Sequence, residues 1–157
     1  MAVTYVFSPN TKIQSSQVNQ NFNDILVSEW TALTPTIYGG TNAGTATYGG
    51  IRAGVYCQIR KIIFFSLAVQ ITNHTGTGNL IVGGLPVAAA NYTNILWQCS
   101  VLASNLTMPD NTLYITGDIE PNNNFIYLAA TKDGGAAELV QMDTACTIYI
   151  NGCYGIS

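Results

Sequence analysis

The sequence predicts an all-β protein, a jelly-roll-like antiparallel β-sandwich preceded by a short N-terminal helix. Three observations predict it. Residues 62–72 alternate, Ile63, Phe65, Leu67, Val69 and Ile71 falling between Phe64, Ser66, Ala68, Gln70 and Thr72, and a period of two belongs to a strand. Turn chemistry recurs between the other apolar runs, at 76–78, 83–84, 109–111, 120–122 and 133–135. Ahead of these runs, Val18, Phe22 and Ile25 fall at i, i+4 and i+7, one face of a helix whose other positions are Asn, Gln and Asp.

Residues 1–14 read as extended, with a turn signal at Ser8-Pro9-Asn10. The helix is expected from Ser15 or Ser16, either a good N-cap, to about Val27. A helix of roughly three turns is marginal alone in water. Its narrow stripe therefore needs a partner, which is another copy of itself, a docking surface, or the body of the same chain. The chain divides into an anchor segment, 1–29, and a β-sandwich domain, 30–157, that Trp30 opens. Pro35 marks an extended edge segment. Strands are expected at 45–48, 53–59, 62–72, 79–82, 94–103, 113–116, 124–131 and 145–151, with turns at Gly49-Gly50 and Gly83-Gly84 between them. In the run 94–103, Ile95, Trp97, Cys99 and Val101 share one face.

The 157 residues are 48% apolar but only 8% charged, against about 25% in an ordinary domain. A neutral surface rich in Asn, Thr, Ser and Gly suits close packing into an assembly, or wet contact with sugars, better than a crowded solution. Five Lys and Arg stand against eight Asp and Glu, for a net charge of −3, and Arg60-Lys61 is the one adjacent basic pair. Nucleic acid, which needs a clustered basic footprint, is excluded as a partner. No run approaches the ~18 apolar residues of a membrane span, so no membrane partner is expected. The opening residues lack the basic and apolar regions of a signal peptide. The sequons at Asn73, Asn91 and Asn105 are then expected to be unmodified. Cys57, Cys99, Cys146 and Cys153 are too far apart for a zinc or redox pattern, and the first three, inside apolar strands, read as buried free thiols.

Little in the chain suggests catalysis. The single histidine, His74, lies beside the turn Thr75-Gly-Thr-Gly78 and reads as a solvated side chain. No Gly-x-Ser-x-Gly elbow is present, and the paired glycines lack the Lys-Ser/Thr of a phosphate loop. Asp118 and Glu120, two apart, would share one face of a strand, a spacing compatible with an inverting glycosidase. Pro121 and three asparagines follow, and a solvated turn is the better account. No enzyme activity, cofactor or metal is expected. Nine tyrosines are many for this length, and Tyr38, Tyr48, Tyr92 and Tyr114 keep company with Asn, Thr and Gly, so they are candidates for glycan contact or for packing between subunits.

Two stretches carry a resemblance. Pro9-Asn-Thr-Lys-Ile13 followed by Ser16-Gln-Val-Asn-Gln-Asn-Phe-Asn-Asp-Ile25 resembles the N-terminal segment of many small virion proteins of tailed bacteriophages, among them capsid decoration proteins, head fibres and short tail fibres. Trp30-Thr-Ala-Leu-Thr-Pro-Thr36, Tyr48, Gly54-Val-Tyr-Cys-Gln-Ile59, the run 62–71, Gly76-Thr-Gly78 and Gly84-Leu-Pro86 follow in an order similar to a β-sandwich module of phage fibres and heads, which is usually trimeric. Together they span about residues 8–90. The chain departs from the family where Arg60 stands in place of a frequent glycine before Lys61. The resemblance implies a homotrimeric capsid decoration, cement or head-fibre protein, made in the bacterial host cytoplasm and located on the capsid surface. Its partners would be itself and the major capsid protein or another virion protein. Ile13, Val18, Phe22, Ile25 and Trp30 would form the trimer or anchor interface. The alternative is a short tail fibre or receptor-binding tip that recognises host surface polysaccharide.

Overall fold

Alternation in the middle of the chain becomes a buried strand in the computed structural model, which describes residues 5, 6, 9, 12–26 (22–26 as backbone) and 29–157. The elements are α1 (Ser15–Leu26), β1 (Thr31–Leu33), β2 (Thr36–Gly39), β3 (Ala46–Ile59), β4 (Ile62–His74), β5 (Leu80–Gly83), β6 (Trp97–Ser104), β7 (Thr112–Ile119), β8 (Phe125–Lys132), β9 (Glu138–Leu139) and β10 (Cys146–Gly155). The all-β class with one short N-terminal helix is as the sequence predicts. On β4, Ile63, Phe65, Leu67, Val69 and Ile71 are at most 3% exposed, while Ile62 and Phe64 on the other side are 45% and 38% exposed. Each such burial contributes about 1.5–3 kcal/mol. The neighbouring β10 turns Cys146, Ile148, Ile150 and Tyr154 to the same interior, and β8 supplies Ile126, Leu128 and Ala130. Tyr154 is fully buried and donates its hydroxyl to the Val87 carbonyl at 2.8 Å. Gly152 keeps this layer thin, since a Cβ there would stand 2.6 Å from Cys99 Sγ and 3.2 Å from the Phe65 ring.

The strands form one antiparallel sheet in the order β1-β3-β4-β10-β6-β7-β8-β5-β2, with β9 paired to β8 off this path. Its two edge strands, β1 and β2, are separated in sequence by Thr34 and Pro35 alone. The sheet must therefore curl until its edges meet, and its halves enclose one core. Pro35 suits the corner because it has no N–H to leave unpaired. Across the corner the join is made by side chains. The Ile37 N–H donates to the Tyr48 hydroxyl at 3.2 Å, the Ile37 carbonyl faces His74 Nε2 at 3.2 Å, and Arg52 Nε donates to the Pro35 carbonyl at 2.9 Å. The Arg52 guanidinium also lies 3.7 Å over the Tyr48 ring, a cation–π contact.

Three sequence expectations change, and the departure at Arg60 finds its geometry. The turn expected at Gly49-Gly50 lies inside β3 as an irregularity, with register shifts on both sides of Tyr48. The Gln70 side chain fills the gap and accepts from the Gly50 N–H at 3.1 Å, which explains why glycine is tolerated within a strand there. Arg60 begins the two-residue turn between β3 and β4 with φ 54°, taking the left-handed geometry a glycine would supply. The run expected from 94 starts as a strand at Trp97, because Asn94 takes φ 63° and ends a turn around Tyr92, leaving Ile95 45% exposed. Finally, the helix N-cap is Gln14. Its carbonyl accepts from the Gln17 and Val18 N–H groups, and the Gln17 side chain returns a bond to the Gln14 N–H at 3.2 Å, which is one half of a capping box.

Two predictions concern this frame. His74→Ala removes both partners of a buried ring and should lower unfolding free energy by about 2 kcal/mol, and Tyr48→Phe by about 1 kcal/mol, in urea titrations. Equal stability of both variants to the parent chain would mean the corner is held by something else. Arg60→Gly should raise stability by about 1 kcal/mol by relieving the left-handed residue, and a drop would contradict the turn geometry.

Candidate functional site

Histidine 74 is not the solvated side chain the sequence suggests. It is 5% exposed, with Nδ1 accepting the Gly76 N–H at 2.8 Å and Nε2 facing the Ile37 carbonyl. An accepting Nδ1 carries no proton, so Nε2 holds the hydrogen and the ring is a neutral structural bridge. Asp118 on β7 and Glu120 just beyond it do share the outer side, since Ile119 between them is fully buried. Burial pushes the Asp118 carboxyl above its usual range, against the lowering pull of Thr116 and Gln98 hydrogen bonds. Glu120 is exposed and accepts from Asn123 Nδ2 at 3.3 Å, the solvated turn expected of it. Among the described residues no group of three or more His, Cys, Asp or Glu is placed to hold a metal.

Of the residues read as a trimer or anchor interface, Ile13 is 53% and Trp30 60% exposed, and Val18 is half-buried on α1. The side chains of Phe22 and Ile25 lie outside the described residues. Asn21 ties the helix to the segment before it, accepting from the Tyr5 N–H at 2.9 Å and donating to the Tyr5 carbonyl at 2.8 Å.

The four tyrosines read as glycan contacts do not converge. Tyr48 is committed to the corner described above. Tyr92 is 52% exposed in the connection between β5 and β6, and Tyr114 is 58% exposed on β7. Tyr38 alone sits in an aromatic group. Strand registers align Gln98, Asp118, Tyr127, Ile81 and Tyr38 in one row across β6, β7, β8, β5 and β2. Phe125 packs edge-on against both Tyr38 at 6.4 Å and Tyr127 at 5.2 Å. Desolvation, and then Tyr127, hold the Tyr38 hydroxyl above its usual pKa. Phe125 and Tyr127 escaped the sequence reading, although alternation of 124–131 already sets them opposite Ile126 and Leu128. A polar end and an aromatic end thus lie on one outer face, the combination that stacks on and hydrogen-bonds a sugar ring.

The other outer face, over β3, β4, β10 and β6, has a different chemistry. One row reads Ala53, Ala68, Tyr149 and Leu102, and the next reads Val55, Ser66, Asn151 and Ser100. Neither row holds an acid or a base. A hollow of about 250 Å³ opens over the small residues. A second hollow, about 310 Å³, lies at one end between Met108, Pro109 and Met142, rimmed by Glu138 and Asp143. Glu138 pairs with Lys132, and Asp143 is held below the usual carboxylate range chiefly by Thr107.

No protein-family model, curated protein or solved structure matches the chain.

The thiols give a direct check of this arrangement. Cys57, Cys99 and Cys146 are free and buried, whereas Cys153 is free and exposed. A thiol reagent should label one cysteine rapidly in the native protein and four after denaturation, and more than one rapid native label would contradict the burial. Burial pushes Cys99 up to about 12 and Cys146 up to about 11. Folded thiols that keep their protons longer than unfolded ones stabilise fully below the ordinary thiol value of about 8.5. That contribution is lost as pH rises above it, so stability should fall between that pH and about 12, a slope that Cys99→Ala should reduce.

Proposed function

We propose that this chain is a non-catalytic structural protein of a bacteriophage virion, a homotrimeric capsid decoration, cement or head-fibre protein. The observation that carries the reading is the outer face of β3, β4, β10 and β6, whose two central rows hold no charge and include Tyr149 and Leu102 open to solvent. An uncharged, partly apolar sheet face suits burial in an assembly. The resemblance of residues 8–90 to small virion proteins supplies the setting. In this reading the segment around Ile13 and Trp30, both exposed, docks on the major capsid protein or another virion protein. A ligand that binds only the assembled shell shifts the equilibrium toward assembly, which is how clamping neighbouring capsomers strengthens a head.

The second reading is a short tail fibre or receptor-binding tip. The row from Gln98 and Asp118 to Tyr127 and Tyr38 favours it, since stacking rings beside a carboxylate and an amide suit host surface polysaccharide.

Antibody-gold labelling of intact particles separates the two. Regular label over the head is the expected result. Label confined to the tail would favour the receptor-binding reading, and unlabelled particles would overturn both.

A further inference from the structure

Two shapes lie side by side on the uncharged face. On β3 and β4, Ala53, Ser66 and Ala68 point outward from adjoining positions and leave the hollow of about 250 Å³, with Tyr149 as one wall. Beyond that wall rises a ridge. Leu102 is 69% exposed and directly opposite Tyr149, itself 39% exposed. A leucine this exposed in the middle of a sheet, paired with an exposed tyrosine, forms an apolar patch of the sort that marks contact sites.

We infer that the ridge around Leu102 and Tyr149 of one copy of this chain seats in the hollow over Ala53, Ser66 and Ala68 of another. The inference rests on the reading that the chain self-associates, and it adds which residues meet. Three considerations select a second copy as the occupant. The hollow, at about 250 Å³, is below the ~300 Å³ at which small-molecule pockets begin, and its floor of alanine and serine leaves room for side chains of a facing surface. The face carries no charge, so a charged partner would bury its own charges unpaired, whereas a copy of this chain brings an equally neutral surface. Leu102 on β6 and the floor of the hollow on β3 and β4 lie on one face with Tyr149 between them, so each copy gives one and receives the other, as in a closed symmetric pair. Four strands ~4.8 Å apart and about eight residues long present roughly 500 Å² per copy, or about 1,000 Å² for a pair. That reaches the ~1,000 Å² a specific interface needs.

Disulfide trapping tests the contact. In a Cys153→Ser background, chains carrying Leu102→Cys are mixed with chains carrying Ala68→Cys under mild oxidation. A 102–68 intermolecular disulfide should form at least tenfold more than in a control mixture of Leu102→Cys with Asn91→Cys, read by non-reducing electrophoresis and peptide mass. Light scattering supplies the second measurement. Leu102→Asp, at an exposed position that leaves the core intact, should reduce the assembly to monomer with an unchanged β circular dichroism spectrum. If the parent chain associates but Leu102→Asp associates equally and no 102–68 disulfide forms, the ridge contact is wrong while self-association stands. A parent chain that remains monomeric at high micromolar concentration would overturn both.

Discussion

The fold depends on how β2 is held at its open edge. Backbone pairing joins β2 to β5 on one side, but on the other side Ile37 finds side chains in place of a neighbouring strand. Tyr48 accepts from its N–H, His74 takes its carbonyl, and Arg52 reaches the carbonyl of Pro35 just before it. An unpaired N–H or C=O at a half-buried edge is costly, so these three side chains do what a ladder would do where a proline has broken it. Because β1 and β2 flank that proline at opposite ends of the sheet order, fastening this corner also fixes the curl of the whole sheet. The irregular stretch of β3 around Gly49 and Gly50 belongs to the same device, since its register shifts flank Tyr48 and precede Arg52.

Curling gives the sheet one interior and two outward faces with different chemistry. The interior takes most of the buried aliphatic side chains and two of the four cysteines, Cys99 and Cys146. One outer face gathers Tyr38, Phe125 and Tyr127 near Asp118 and Gln98. The other stays neutral, small and apolar, from Ala53 to Leu102. With only 8% of residues charged, the chain has few means of keeping such a face apart from other molecules. The scarcity of charge seen in composition and the open leucine seen in structure are thus two aspects of one surface, and both suit the assembly proposed above.

Much of the candidate chemistry depended on which residues were taken as partners. Spacing set Asp118, on β7, and Glu120, in the turn just beyond it, on one side, because period two is a local property of the backbone. It misjudged His74, since a turn composed of Thr and Gly reads as solvated until β2 is brought against it. Tyr48 and Tyr38 look alike in sequence, each beside glycine, yet one is a structural acceptor and the other joins an aromatic group. Nothing local distinguishes them, because their partners, Ile37 and Phe125, come from strands distant in the chain or across the sheet.

The sequence by itself determined the class of the fold, the positions of most strands, the short helix, and the alternating set on β4. These follow from periodicity and turn chemistry, which act over a few residues. Tertiary structure alone decided that Gly49 and Gly50 lie within a strand and that Thr34 and Pro35 join the two edges of one sheet. It also decided which side chains became neighbours on each outer face. Those outcomes depend on strand order and curl, and strand order is set by the burial of the whole core, a sum over distant segments that no local window contains.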